Sequence, residues 1–159
     1  MLARLEELQL LTYIHPDLKW RDNLSDALQY VLCEPINELW GLPESIGNAS
    51  LKVALAYLVW LSDFPPRDAG DIMTRLRLPV KLQHSLQAIT KLCQDMPGML
   101  NAPISDAVTQ LDSVPLVSLY ILDVLAITRC HEAAQQAHTF LQKYISDLRH
   151  VKPFTTGQT

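Results

Sequence analysis

Along this chain apolar positions recur at helical spacing, and nearly every interruption of that spacing carries a proline. Leu2, Leu5, Leu8 and then Leu11 or Tyr13 form a first stripe. His15-Pro16 closes it, because a residue before proline avoids the α region. Asn23 is placed to cap a helix from Leu24 to Leu32. Pro35 suits the first turn of a short helix ending at Trp40-Gly41. Residues 42–48 read as a loop, and Ser50 as the cap of an apolar helix, Leu51 to Leu61. Phe64-Pro65-Pro66 breaks the pattern, and Pro66 opens a helix to about Leu76. Leu78-Pro79 opens the next, which runs to about Asp95 and is broken by Pro97-Gly98. Pro103 or Ser105 starts a helix to Asp112, and Pro115 one to Ala126. The last pattern runs from about His131 to Leu148, ahead of a polar tail, 151–159.

No window alternates like a strand between turn signals. The pattern predicts an all-α fold, an irregular array of about nine short helices. Residues 1–150 form one domain in this reading, and no solenoid period is visible. The length of 159 residues and the 48% apolar content support a single core. Charged residues make up 19%, below the usual share of about 25%, which argues against disorder.

The net charge of −4 argues against a broadly basic nucleic-acid surface, but the charge is unevenly placed. Residues 1–48 hold three basic and eight acidic side chains, whereas residues 128–159 hold four basic and two acidic ones. That asymmetry predicts two faces with different partners. The three cysteines, Cys33, Cys93 and Cys130, are scattered in apolar helical contexts and read as small buried hydrophobes. Their number and spacing predict a reducing, cytoplasmic setting without a structural zinc site. The start of the chain lacks a signal-peptide pattern, and no apolar run is long enough for a membrane span.

Motifs for chemistry are sparse. The five glycines form neither GxGxxG nor a phosphate-cradling loop, and no HExxH occurs. His131 and His138 are seven apart, but a metal would need further ligands, so they read as partly exposed polar positions. Cys130 and His131 are adjacent on a helix and point about 100° apart, which disfavours a thiolate–imidazole pair. Asp68 and Asp71 suit the positive end of a helix without any metal. Trp20, Trp40, Trp60 and Tyr57 lie among leucines, as core aromatics do, while Phe154 either stacks on a base or covers the last helix. No catalytic residue and no metal ligand is assigned.

Three phrases carry a resemblance. Residues 6–18 read EELQLLTYIHPDL; residues 74–79 read TRLRLP ahead of a long amphipathic helix; residues 145–153 read ISDLRHVKP, with Thr156-Gly157 beyond. In this order they resemble the C-terminal helical region of bacterial tRNA nucleotidyltransferases, the family of CCA-adding and A-adding enzymes and poly(A) polymerases. There "LEELGLL…IHPEL", "RLRLP" and "WRHVKPxLTGxDL" occupy corresponding places. Ala102-Pro103-Ile104-Ser105-Asp106 with Leu111 is similar to the family's "PSEIxxxL" helix. The chain departs from the pattern in lacking the catalytic head, with its Gly-Ser loop and paired metal-binding aspartates. It also ends at Gln158-Thr159, where the family continues, so the tail reads as truncated.

The resemblance implies a tRNA-holding body and tail that presents the RNA 3′ end to a catalytic head outside the chain. Mg2+ and nucleoside triphosphates are then expected only in that head, which is also the expected protein partner. Contacts would go to phosphates and 2′-hydroxyls. Lys143, Arg149, His150 and Lys152, clustered at the exit of the last helix, are the first candidates, and Arg75 and Arg77 the second. The competing reading is a helical protein-interaction or dimerisation module without RNA binding, with Trp20 and Trp40 exposed on the acidic front half. A third is a packing platform for an upstream domain.

Overall fold

In a computed structural model, residues 4, 7–16, 18–129 and 131–150 are described. Among them are eight α-helices. They are α1 (Leu11–Ile14), α2 (Ser25–Cys33), α3 (Leu51–Leu61), α4 (Pro66–Arg75), α5 (Val80–Asn101), α6 (Ile104–Asp112), α7 (Leu116–Thr128) and α8 (Glu132–Ser146). Short 3-10 turns at Asp22–Leu24, Glu38–Trp40 and Leu148–His150 complete the helical content. The all-α expectation therefore holds for the class of fold.

The core is built around α7. Its sequence, LVSLYILDVLAIT, is apolar on every side, and every residue from Val117 to Ala126 is buried. A helix of that kind must be surrounded. Helices α2, α3, α5 and α8 pack against it. One continuous cluster of buried apolar side chains then runs from Leu11 to Ile145. Among the described residues no single helix is long and apolar enough to cross a membrane.

Prolines set the helix starts as expected. Pro66 opens α4 at its first turn, and Pro65, Pro79, Pro103 and Pro115 sit just before α4, α5, α6 and α7. Their fixed φ suits these positions, and the missing N–H costs no helical bond there.

Five local expectations are corrected. Pro97-Gly98 does not end α5, which continues to Asn101. Leu92, Met96 and Met99 of this stretch are buried, so tertiary packing holds the helix through its proline. Asn23 does not cap α2: it lies in the 3-10 turn Asp22–Leu24, and its Nδ2 donates instead to Asp63 at 3.3 Å. Pro35 lies outside any helix, and the short turn that follows is capped by Asn37, whose Oδ1 accepts from Leu39 N. Ser50 precedes α3 but makes no capping side-chain bond. The 42–48 loop includes one arm of a small antiparallel hairpin, β1 (Ser45–Ile46) with β2 (Ala49–Ser50), Ile46 facing Ala49. Gly47, at φ +64°, allows its two-residue turn.

Cys33 and Cys93 are exposed rather than buried in the core, because each falls on the outer face of its helix; Cys130 lies outside the described residues. Trp40 is buried, edge-on to Tyr120 with ring centroids 5.4 Å apart, so it is not the exposed platform that an interaction module would use. Trp60 is also buried, and Trp20 and Tyr57 are half-buried against the core. Trp20 is further tied down by its Nε1, which donates to Asp22 at 3.0 Å. Phe154 and Lys152 lie outside the described residues.

Candidate nucleic-acid interface

The cationic side chains fall into two groups by what they touch. Arg21 and Arg129 both converge on Asp63, with Arg129 Nη2 2.7 Å from Oδ1 and Arg21 Nη1 3.9 Å from Oδ2. Arg21 also lies over the Phe64 ring, 5.2 Å from its centroid. These two arginines are used to join the α3–α4 corner to the chain around it.

Lys143, Arg149 and His150 stand differently. Helix α8 ends at Ser146, and the 3-10 turn Leu148–His150 follows directly. Lys143 occupies the last turn of α8, and Arg149 and His150 lie in the turn beyond it, so all three sit at one helix end. Positive charge is favoured there by the exposed carbonyls. Among the described residues none of the three takes part in an ion pair. Lys143 and His150 are exposed, and Arg149 is half-buried.

Two neighbours position this end. Tyr144 is buried, and its hydroxyl donates to Asp112 Oδ1 at 2.6 Å, which pins α8 to the end of α6. Burial and the Asp112 carboxylate push the Tyr144 hydroxyl well above the ordinary phenol range, and the nearby Arg149 charge opposes that rise. On its other side Arg149 approaches Gly41: a Cβ built on that glycine would lie 4.0 Å from Nη1.

The second pair behaves unequally. Arg75 is exposed, yet its Nη1 donates to the carbonyl oxygen of Ile14 at 2.6 Å. Arg77 is exposed with φ +54°, and its backbone forms the end of α4. Leu78 N donates to Met73 O and Arg77 N to Thr74 O. That is the Schellman pattern, with arginine where glycine is usual. No hydrogen bond or ion pair among the described residues joins this pair to the Lys143–Arg149–His150 end.

A buried polar group escaped the reading of the sequence. Asp123 is the one charged residue of α7 and is 2% exposed. Its Oδ1 pairs with His138 Nδ1 at 2.7 Å, and its Oδ2 accepts from Gln142 Nε2 at 2.8 Å. Burial pushes the Asp123 carboxyl above the usual range, while the His138 and Gln142 bonds pull it back. The available signal was a lone carboxylate in an apolar helix, followed by His138 and Gln142 at i, i+4 on the next.

Comparison with known family models, characterised proteins and solved structures gives no match for this chain.

Proposed function

We propose that this chain is the RNA-holding helical part of a tRNA nucleotidyltransferase of the CCA-adding, A-adding or poly(A) type. It holds the tRNA backbone so that a catalytic head outside the chain acts on the 3′ end. In this reading the protein works in the cytoplasm of a bacterium, and Mg2+ and nucleoside triphosphates belong to the head. The observation that carries the proposal is the set of basic side chains without a carboxylate partner at the end of α8. Arg21 and Arg129 are spent on Asp63, whereas Lys143, Arg149 and His150 have no carboxylate partner among the described residues. They lie in and just before the phrase ISDLRHVKP that carries the family resemblance. Phosphate oxygens are the natural partners for such a group.

The test is tRNA binding across a salt series. The chain should bind with a clear negative slope of log K against log salt. Arg149→Ala should reduce that slope by about one for each phosphate contact removed, and Lys143→Ala should add to the loss. Absence of tRNA affinity at low salt would overturn the reading.

A second reading has its own support. Tyr13 is 85% exposed and Leu10 44% exposed, on the segment around α1. Apolar side chains held in water at neighbouring positions suit contact with another protein surface. Light scattering would show a concentration-dependent dimer if that surface joins two copies, and none if it meets a head domain.

A further inference from the structure

Beside the cationic end of α8 lies a polar, half-open pocket of about 350 Å³. That falls within the range of about 300–1,000 Å³ found for small-ligand sites. Tyr30, Asn37, Trp40, Asp123, His138 and Gln142 line it. The cavity and the cations are adjacent through Trp40 and Gly41: Trp40 forms part of the wall, and the next residue, Gly41, faces the Arg149 guanidinium. We infer that this cavity takes up an unpaired nucleobase of the bound RNA while the Arg149 end holds a neighbouring phosphate. The inference rests on the RNA-holding reading.

The chemistry of the wall selects an uncharged heterocycle. Asp123 is already satisfied by His138 and Gln142, so the cavity offers no free carboxylate to attract a cation. Among the described residues no lysine or arginine lines it, so they offer nothing for a phosphate. What remains are groups that donate and accept in fixed directions. His138 uses Nδ1 on Asp123, which leaves Nε2. Gln142 uses its amide nitrogen, which leaves Oε1. Asn37 uses Oδ1 in its cap, which leaves Nδ2. Tyr30 contributes a phenol that burial and the Asp123 charge hold in its neutral, donating form. Asn and Gln amides with aromatic rings are the side chains that read unstacked bases by their edges and faces.

The site is also built rather than incidental. The Asp123–His138–Gln142 group fixes two wall residues on α8 against α7. Tyr120 also lines the cavity, is 3% exposed, and its buried hydroxyl has no partner among the described residues. A buried hydroxyl left unpaired is costly, and small adjustment of the wall on ligand entry can supply the missing bond.

The experiment titrates the chain with the four ribonucleosides and with their 3′,5′-bisphosphates, following side-chain resonances by NMR. A saturating response centred on Tyr30, Asn37, His138 and Gln142 is expected for at least one base. The bisphosphate should bind more tightly than the nucleoside, and Arg149→Ala should remove that gain. Tyr30→Phe keeps the ring and the Asp123 group and should weaken nucleoside binding about three- to tenfold, the effect of one neutral hydrogen bond. Ile127→Phe, which fills the cavity from α7, should abolish binding, with circular dichroism confirming that both variants fold. Saturation elsewhere on the surface, or no saturation by any nucleoside, overturns the inference. tRNA binding without nucleoside uptake would remove the cavity and leave the RNA-holding reading intact. Nucleoside uptake without tRNA binding would overturn both the RNA-holding reading and the inference that rests on it.

Discussion

The Arg75 guanidinium reaches the carbonyl oxygen of Ile14 at 2.6 Å, across 61 residues of sequence. Ile14 is the last residue of α1, so its carbonyl has no donor further along the helix. A long cationic donor from the end of α4 takes that place, and Leu11, His15 and Leu18 are buried beside it. Arg75 thus ties the segment 11–18 to the end of α4, which gives it a structural role.

Arg75→Ala should therefore loosen the segment 11–18 before it affects anything else. Loss of the bond should cost about 1 kcal/mol. The amides of His15 and Leu18, which donate to Leu11 O and His15 O, should exchange with solvent faster, while those of α7 should not. Uniformly faster exchange would mean that the contact supports the whole fold and not this segment alone.

Gly47→Ala should destabilise the protein for two separate reasons. Gly47 has φ +64°, a conformation that costs an L-residue about 1–2 kcal/mol. A Cβ there would also lie 2.7 Å from Cβ of Pro79, whose ring cannot rotate away. The melting temperature should fall by about 4 °C or more. A hairpin free to shift from Pro79 would show a smaller change.

How much of this was readable beforehand depends on whether a neighbour in sequence or in space decides the outcome. The proline-led starts of α4 to α7 were legible because a fixed φ acts locally. The continuation of α5 through Pro97 was not, because burial of Met96 and Met99 outweighs one lost backbone bond. Asn23 has the chemistry of a cap, yet Asp63, 40 residues away, takes its side chain. The candidate cations were found by their clustering around 143–150, but sequence position could not separate Arg75, which is spent on Ile14 O, from Arg149. Asp123 went unremarked although it is a lone charge in an apolar helix, because its meaning depends on His138 and Gln142 arriving from α8.

The Asp123 group should give the fold a pH dependence of definite sign. Its carboxyl is raised in the folded state, chiefly by burial, so the folded protein holds that proton more tightly than the unfolded chain. Its contribution is therefore fully present below the ordinary carboxylate value of about 4 and is lost as pH rises through the raised value. His138 and Gln142 on α8, with Tyr30 on α2 and Tyr120 on α7, are the groups that face it. Urea melts of the wild type and Asp123→Asn, run upward from about pH 4, should diverge. The wild type should lose stability relative to the variant over that interval. The opposite slope would mean that the His138 ion pair outweighs burial.

Arg77 offers a way to separate stability from binding. Its φ of +54° places an arginine at the C-terminal position of α4 where glycine is strongly favoured, and no hydrogen bond of its side chain accounts for it among the described residues. Arg77→Gly should relieve about 1 kcal/mol of backbone cost and raise the melting temperature by roughly 2–4 °C. If the side chain also meets RNA, the same variant should bind tRNA more weakly and with a salt slope smaller by about one. A residue that lowers stability while strengthening binding is what a functional position at a strained site looks like. A variant that gains stability and keeps its full salt slope would remove Arg77 from the interface and leave Lys143, Arg149 and His150 to carry it.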